Sequence, residues 1–185
     1  QFASSAASDV YKRQIADDAV NIAAINSGSL NEAINITANT AATVAEAKII
    51  DDASNSGSNT YNINDTALKI FEGDSVAIIA AGTVTASDSA NVAQAIRISG
   101  FSKSVTYDLS DSSSNLAGAN SEALNQAVNI TASDVATVAQ ATIIQGASNS
   151  GTTTYSITDT AVAIAAASNA VLNGAQNIVT TDNPN

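Results

Sequence analysis

Apolar and polar residues alternate strictly in short stretches that recur along the chain. In residues 154–158, Tyr155 and Ile157 fall on one side, and threonine and serine fall on the other. A period of two predicts a β-strand with one buried face. The pattern places eight such strands, at Ile15, Ile36, Ile63, Val84, Leu109, Ile130, Ile157 and Ile178.

Between the strands the apolar residues are spaced by three and four positions. The last complete connection carries them at Ala161, Ile164, Leu172 and Ala175, with Ser168 in the same series. This spacing, in an alanine-rich stretch, predicts an amphipathic helix. Each connection therefore has the order strand, helix cap, helix, turn.

The elements belong to a tandem repeat, because Tyr61, Tyr107 and Tyr155 follow one another after 46 and then 48 residues. Each period divides into a short coil, 21 residues from strand to strand, and a long coil of 27, 25 and 27 residues. The long coils end in the loop ASNSG at 53–57 and 147–151, and in a shorter loop at 100–104. A fixed stride of this kind indicates stacked repeats.

A strand, a helix and a further strand some twenty residues on predict parallel pairing with a right-handed connection. Because each strand has one apolar face, we expect a right-handed α/β solenoid: a single parallel sheet backed by one layer of short helices, its other face in water. Ile63, Val84, Leu109 and Ile130 should then lie side by side. Neither end shows a polar capping unit, so we expect a fragment of a longer array.

Residues 1–14 do not fit the repeat. The string SSAASDVYKRQ within them resembles translated sequencing-adapter sequence. We therefore expect a non-native leader over 1–14 and the tandem-repeat solenoid over 15–185.

An aspartate recurs at the end of alternate strands, at Asp65, Asp111 and Asp159, each followed by threonine or serine. These pairs, and Ser133-Asp134, stand where a helix N-cap belongs. Calcium is the alternative, since it takes six to eight oxygen ligands. Successive aspartates would lie about 9–10 Å apart, too far to share one ion, so capping is favoured.

Two further columns follow from the strand register. Thr37, Thr85 and Thr131 would lie on the exposed sheet face, with Asn64, Ser110 and Thr158 between them. A threonine array can bind ice or a crystalline glycan, but β-propensity also explains threonine there. Tyr61, Tyr107 and Tyr155 fall on the buried face, where we expect the ring to be packed at the sheet rim and the hydroxyl to reach water.

Composition removes most catalytic chemistry. The chain contains no Cys, Met, Trp or His, which excludes thiol nucleophiles, imidazole acid–base catalysis and Cys/His zinc sites. Asp17/Asp18 and Asp51/Asp52 are adjacent in sequence, whereas glycosidase carboxylates face each other across a pocket. We predict no enzyme activity, and no catalytic, cofactor-binding or metal-binding residue.

The net charge of −11 bears on partners. It disfavours nucleic acid and anionic membranes, which need clustered cations. The sequence contains no run of eighteen apolar residues, so it predicts no membrane-spanning helix.

The segments TYSITDTAVAIAAA at 154–167 and VNITASDVATVAQA at 128–141 resemble the tandem repeats of large secreted and surface proteins of bacteria, described as adhesins, hemagglutinins or hemolysin-type proteins. The resemblance covers Ile15 to the end, but the glycine-rich calcium-binding nonapeptide of the RTX group is absent. It implies an extracellular or cell-surface spacer or adhesive segment. Its partners would be neighbouring repeats of the parent protein, surface glycans or other cells. The alternative is a calcium-stabilised or ligand-binding module for glycan or ice.

Overall fold

The computed structural model describes residues 13–182, which form a mixed α/β structure of parallel strands and short helices. The predicted leader lies outside these residues, apart from Arg13 and Gln14, and Gln14 begins the first strand. The strands are β1 (Gln14–Asp17), β2 (Asn35–Ala38), β3 (Asn59–Thr60), β4 (Ile63–Asp65), β5 (Val84–Ala86), β6 (Val105–Thr106), β7 (Leu109–Asp111), β8 (Ile130–Ala136), β9 (Thr153–Asp159) and β10 (Ile178–Thr180).

Each short coil contains two helices and each long coil contains one. The short-coil pairs are α1 (Ala19–Ala23) with α2 (Ser27–Asn31), α4 (Ala67–Glu72) with α5 (Ser75–Ala80), α7 (Ser113–Gly118) with α8 (Ser121–Gln126), and α10 (Ala161–Ala166) with α11 (Asn169–Gly174). The long-coil helices are α3 (Val44–Asp51), α6 (Val92–Ser99) and α9 (Val138–Gln145).

The predicted register of the short coils is confirmed. The strands on either side of each short coil are parallel neighbours, and their marker residues lie directly opposite each other. The pairs are Ile15 with Ile36, Ile63 with Val84, Leu109 with Ile130, and Ile157 with Ile178.

The predicted register of the long coils is wrong. Val84 lies opposite Val105 and not opposite Leu109, which pairs instead with Ala90. The other two long coils shift in the same way: Ile36 faces Asn59 while Ala42 faces Ile63, and Ile130 faces Thr153 while Ala136 faces Ile157. In every case a six-residue step on one strand opposes a four-residue step on the next. Two extra residues therefore bulge out of the ladder.

These bulges divide the expected single sheet. Hydrogen-bonded strands form parallel sheets in the orders β1-β2-β3, β4-β5-β6 and β7-β8-β9-β10. The isolated bridges Ala42–Ile63 and Ala90–Leu109 connect the first sheet to the second and the second to the third. In the last long coil the strands β8 and β9 stay unbroken through the same shift.

The expectation of one helix per short coil is also wrong, because a second N-cap interrupts it. Asn26, Asp74, Asn120 and Ser168 each adopt an extended conformation, and each side chain accepts a backbone N–H of the next turn. Ser168, predicted inside a helix, is thus the N-cap of α11. The short polar side chain competes with the helical backbone for its own amides.

The core lies between the strands and the helices and repeats along the chain. Ile22, Ile70 and Leu116, the fourth residues of α1, α4 and α7, have no exposed surface. The alanines before the next strand, Ala33, Ala81 and Ala127, are buried beside them. Each long-coil helix packs against the first helix of the coil before it and the second helix of the coil after it, as α3 does with α1 and α5.

Two isoleucines of α6 differ in burial but not in residue type, so their substitution by alanine isolates the contribution of burial to stability. Ile98 is fully buried, whereas Ile96 is 43% exposed. We expect Ile98→Ala to lower the free energy of unfolding by about 2–5 kcal/mol, and Ile96→Ala to change it by less than about 0.5 kcal/mol. Urea denaturation of both variants measures the difference, and equal losses would contradict this packing.

Candidate functional site

The recurring aspartates bind backbone amides of two successive coils. Asp65 accepts the Thr66 N–H on Oδ1 at 2.8 Å and the Val44 N–H on Oδ2 at 2.9 Å. Val44 is the first residue of α3, in the preceding coil. The first amides of a helix have no hydrogen-bond acceptor within the helix. The Asp65 carboxylate, at the end of the neighbouring strand, is the acceptor for the first amide of α3.

The same contact recurs at every helix that begins a coil. Asp111 accepts the Val92 N–H and Asp159 the Val138 N–H, both at 2.9 Å. A second series, displaced along the strands, serves the short coils: Asp88 accepts the Ala67 N–H, Asp134 that of Ser113 and Asp182 that of Ala161, each at 2.6 Å. At α1 the acceptor is the Thr40 hydroxyl, 3.0 Å from the Ala19 nitrogen. We call these acceptors the cross-coil caps.

In the last three short coils, the N-cap of the first helix is the residue after the aspartate. Thr66 caps α4, Ser112 caps α7 and Thr160 caps α10, each accepting the N–H three residues on. The prediction that Asp-Thr and Asp-Ser pairs are caps is therefore right in kind, but the aspartate also serves a second helix. The prediction for Ser133-Asp134 is wrong, because α9 begins after Thr137 and Asp134 caps α7 across the coils.

Hydrogen bonding to these carboxylates favours their charged form. At Asp111 partial burial raises the pKa, but the N–H groups of Val92 and Ser112 and the Asn115 amide outweigh it and lower the pKa below its ordinary value. At Asp134 the backbone N–H and hydroxyl of Ser113 lower the pKa. Such groups stabilise the fold while they are ionised, and that stabilisation is lost as the pH falls through the lowered pKa.

The carboxylates of Asp65, Asp111 and Asp159 have both oxygens engaged by protein N–H groups. Within residues 13–182 no group of three or more Asp or Glu side chains is arranged to hold a metal ion. A calcium ion would have to compete with these N–H donors for the same oxygen lone pairs.

A polar ladder of asparagines lies at the opposite ends of the strands. Asn62 accepts the Thr83 N–H at 2.8 Å, and Asn129 accepts the Thr152 N–H at 2.9 Å. In the loops, Asn55 and Asn149 donate to the carbonyl oxygens of Ile34 and Val128, 21 residues earlier. Neighbouring coils are thus joined at both ends of their strands by hydrogen bonds between side chains and the backbone.

The exposed face of the strands carries pairs of threonines. Thr37 lies opposite Thr60, Thr85 opposite Thr106, and Thr131 opposite Thr154. The predicted alternation is therefore only half right: Asn64 and Ser110 flank Thr85 and Thr131 on one side, but the other neighbour is a second threonine. The bulge in each long coil creates this pairing, and the alternating pattern gave no sign of it.

The tyrosine hydroxyls are buried, contrary to the prediction that they reach water. Tyr61, Tyr107 and Tyr155 are 2%, 1% and 1% exposed. Each hydroxyl donates to a helix carbonyl 16 residues on, that of Ala77, Ala123 or Val171, at 2.7–2.9 Å. Burial raises the pKa of Tyr107 to about 12, with a contribution from Glu122. These tyrosines pin the second short-coil helix to the sheet.

The adjacent acid pairs have separate structural contacts. Asp51 lies 3.0 Å from the Tyr61 hydroxyl and shares its proton with the Ala77 carbonyl, and Asp52 pairs with Lys48 at 2.9 Å. Asp17 binds the Asn21 amide and the Asp18 N–H. Neither pair places two carboxylates across a pocket.

Several concavities of the described residues are grooves between helices. A groove of about 550 Å³ lies between the first turn of α3 and α4, and its lining includes Val44, Lys48, Lys69 and Asp74. Lys48 pairs with Asp74 across it at 3.2 Å. The N–H of Val76, and then Lys48, lower the pKa of Asp74. The strand pattern gave no indication of this groove, which depends on how the helices are spaced.

No protein-family model, curated protein or solved structure matches the chain. Among residues 13–182, none of the helices has the length and hydropathy needed to cross a bilayer.

Removing one cross-coil cap tests its contribution to stability. At pH 7 we expect Asp111→Ala to lower the free energy of unfolding by about 1–2 kcal/mol, because the Val92 amide loses its acceptor. The control Asp52→Ala removes only a surface ion pair with Lys48, worth about 0–1 kcal/mol.

The effect of Asp111→Ala should also shrink as the pH falls below about 4. The carboxylate of the unfolded chain binds a proton first, and the stabilisation is lost as the pH falls through the lowered pKa of the folded one. Urea denaturation of both variants across pH 2.5–7 measures this. Equal losses in the two variants, or a loss independent of pH, would argue against the cross-coil cap.

Proposed function

We propose that the chain is a right-handed α/β solenoid that serves as a structural spacer or adhesive segment of a large exported bacterial surface protein, and that it has no catalytic role. The observation that carries the proposal is the series of cross-coil caps. Each coil-starting helix receives its acceptor from the next coil along the chain. A structure built in this way extends by adding coils.

Parallel bridges between the three sheets support the solenoid. The bridges Ala42–Ile63 and Ala90–Leu109 carry parallel pairing from one sheet to the next. Parallel strands joined through helices are right-handed in nearly all known cases. The layer of helices packs against one face of the strands, and the other face carries threonine, serine and asparagine.

The spacer role follows from dependence between neighbours. A coil that contacts mainly the coils beside it can be repeated to any length. The net charge of −11 keeps such arrays soluble and self-repelling. The exported bacterial setting rests on the resemblance of residues 128–141 and 154–167 to surface-protein repeats.

The second candidate is a calcium-stabilised or ligand-binding module for glycan or ice. The paired threonines favour ligand binding, because they place hydroxyls about 4.8 Å apart on neighbouring strands. The engaged aspartate oxygens argue against calcium. An increase in melting temperature with millimolar calcium, absent with magnesium at the same ionic strength, would favour the calcium version.

Duplicating one repeat period tests the spacer proposal. A second copy of residues 63–108, inserted directly after Asp108, keeps every strand in register. We expect the insertion to fold with unchanged helicity per residue and to lengthen the particle by about 9–10 Å, two strand spacings.

Small-angle X-ray scattering and circular dichroism measure these changes. The matched control inserts the same 46 residues in reversed order, which keeps composition and charge but removes the register. A correct duplicate that unfolds, or that leaves the particle length unchanged, would refute the modular spacer.

A further inference from the structure

Three residues of the middle repeat depart from the other copies. The residue after the fourth position of the first short-coil helix is alanine at 23, 117 and 165, but is Phe71 in α4. The residue before the buried isoleucine of the long-coil helix is Ile49 or Ile143, but is Arg97 in α6. Three residues beyond that isoleucine, Ala53 and Ala147 are replaced by Phe101.

These three departures meet at one place. The guanidinium carbon of Arg97 lies 5.7 Å from the ring centroid of Phe71 and 5.7 Å from that of Phe101. The residues come from a short-coil helix, a long-coil helix and the loop after it, so their proximity is created only by folding. We call Phe71, Arg97 and Phe101 the aromatic–arginine cluster.

The chemistry of the cluster differs from that of the rest of the surface. Arg97 is exposed, and within residues 13–182 no carboxylate lies within 4.0 Å of it, although the chain carries a net charge of −11. Its guanidinium can present a planar fork of donors that matches a carboxylate, while its face contacts the rings. Both phenylalanines are half-buried, so they offer ring surface at low cost in side-chain entropy.

The loop beside the cluster is polar, and Phe101 takes the place of a small residue there. The loop that carries Phe101 continues with Ser102, Lys103 and Ser104, which add hydroxyls and a second cation. In the other two long coils the corresponding alanines, Ala53 and Ala147, line grooves of about 230 and 220 Å³. Phe101 places an aromatic ring at that position.

We infer that the aromatic–arginine cluster binds an acidic sugar unit of a glycan. The carboxylate of the sugar pairs with Arg97, an apolar face of its ring packs on Phe71 or Phe101, and its hydroxyls meet the serine-bearing loop. A cluster confined to three side chains of two neighbouring coils matches one or two sugar rings better than a protein interface, which buries about 800 Å² per partner. This inference rests on the adhesive form of the proposed function.

Reversion to the repeat's own residues tests the role of the cluster. Arg97→Ile introduces the residue found at positions 49 and 143, and is therefore compatible with the fold. The probe is a tetrasaccharide of alternating glucuronic acid and N-acetylglucosamine, with neutral chitotetraose as its control. We expect saturable shifts of the Arg97 side-chain and loop signals in NMR titrations, and at least about a tenfold weaker affinity in Arg97→Ile.

Arg97→Lys separates ligand binding from packing. It keeps the charge but loses the fork, so we expect about the same loss of affinity as in Arg97→Ile, without loss of stability. If the cluster only packs, none of these variants alters a binding signal.

Transplanting the cluster gives the sharpest test. Ala117→Phe, Ile143→Arg and Ala147→Phe reproduce the three departures on α7, α9 and the following loop, and α7 packs against α9 as α4 packs against α6. We expect the binding stoichiometry to rise from one to two.

The named outcomes separate the alternatives. No binding of the acidic tetrasaccharide, equal binding of chitotetraose, or binding of an acidic peptide in its place would overturn the inference. The spacer proposal would still stand if the duplicated repeat lengthens the particle, so the two can fail independently.

Discussion

The architecture depends on one hydrogen bond, in which an aspartate carboxylate accepts the first backbone N–H of a helix in the preceding coil. A helix of six to eight residues is marginal by itself, because several of its amides lack partners. Here the N-cap within the coil satisfies one amide and the cross-coil cap satisfies another. Helix formation in one coil thus requires a correctly placed strand in the next.

The acidic composition follows partly from this constraint. Six aspartates each accept the first backbone N–H of a helix: Asp65, Asp88, Asp111, Asp134, Asp159 and Asp182. An aspartate in this position gains from the partial positive charge of the helix N-terminus. The same column that suggested a calcium site is therefore accounted for by backbone hydrogen bonding.

The sequence allowed the strands, the parallel pairing and the 21-residue register of the short coils to be predicted, because alternation and stride determine them directly. It did not reveal the bulge. Val84 and Leu109 occupy equivalent places in the repeat, but Val105 also fits the alternation of apolar and polar residues, and Val105 is the residue that lies opposite Val84. Second N-caps such as Ser168 were hidden because serine fitted the helical spacing. The aromatic–arginine cluster was visible only as three separate mismatches until folding brought them together.

Native-state hydrogen exchange of the first helical amides tests the cross-coil caps most directly. The account predicts that the amides of Val44, Val92 and Val138 are protected to a degree comparable with the strand amide of Ile63. The next amide, that of Ala45, has no side-chain acceptor among residues 13–182 and should exchange quickly. Rapid exchange at Val44, Val92 and Val138 while Ile63 stays protected would contradict the account.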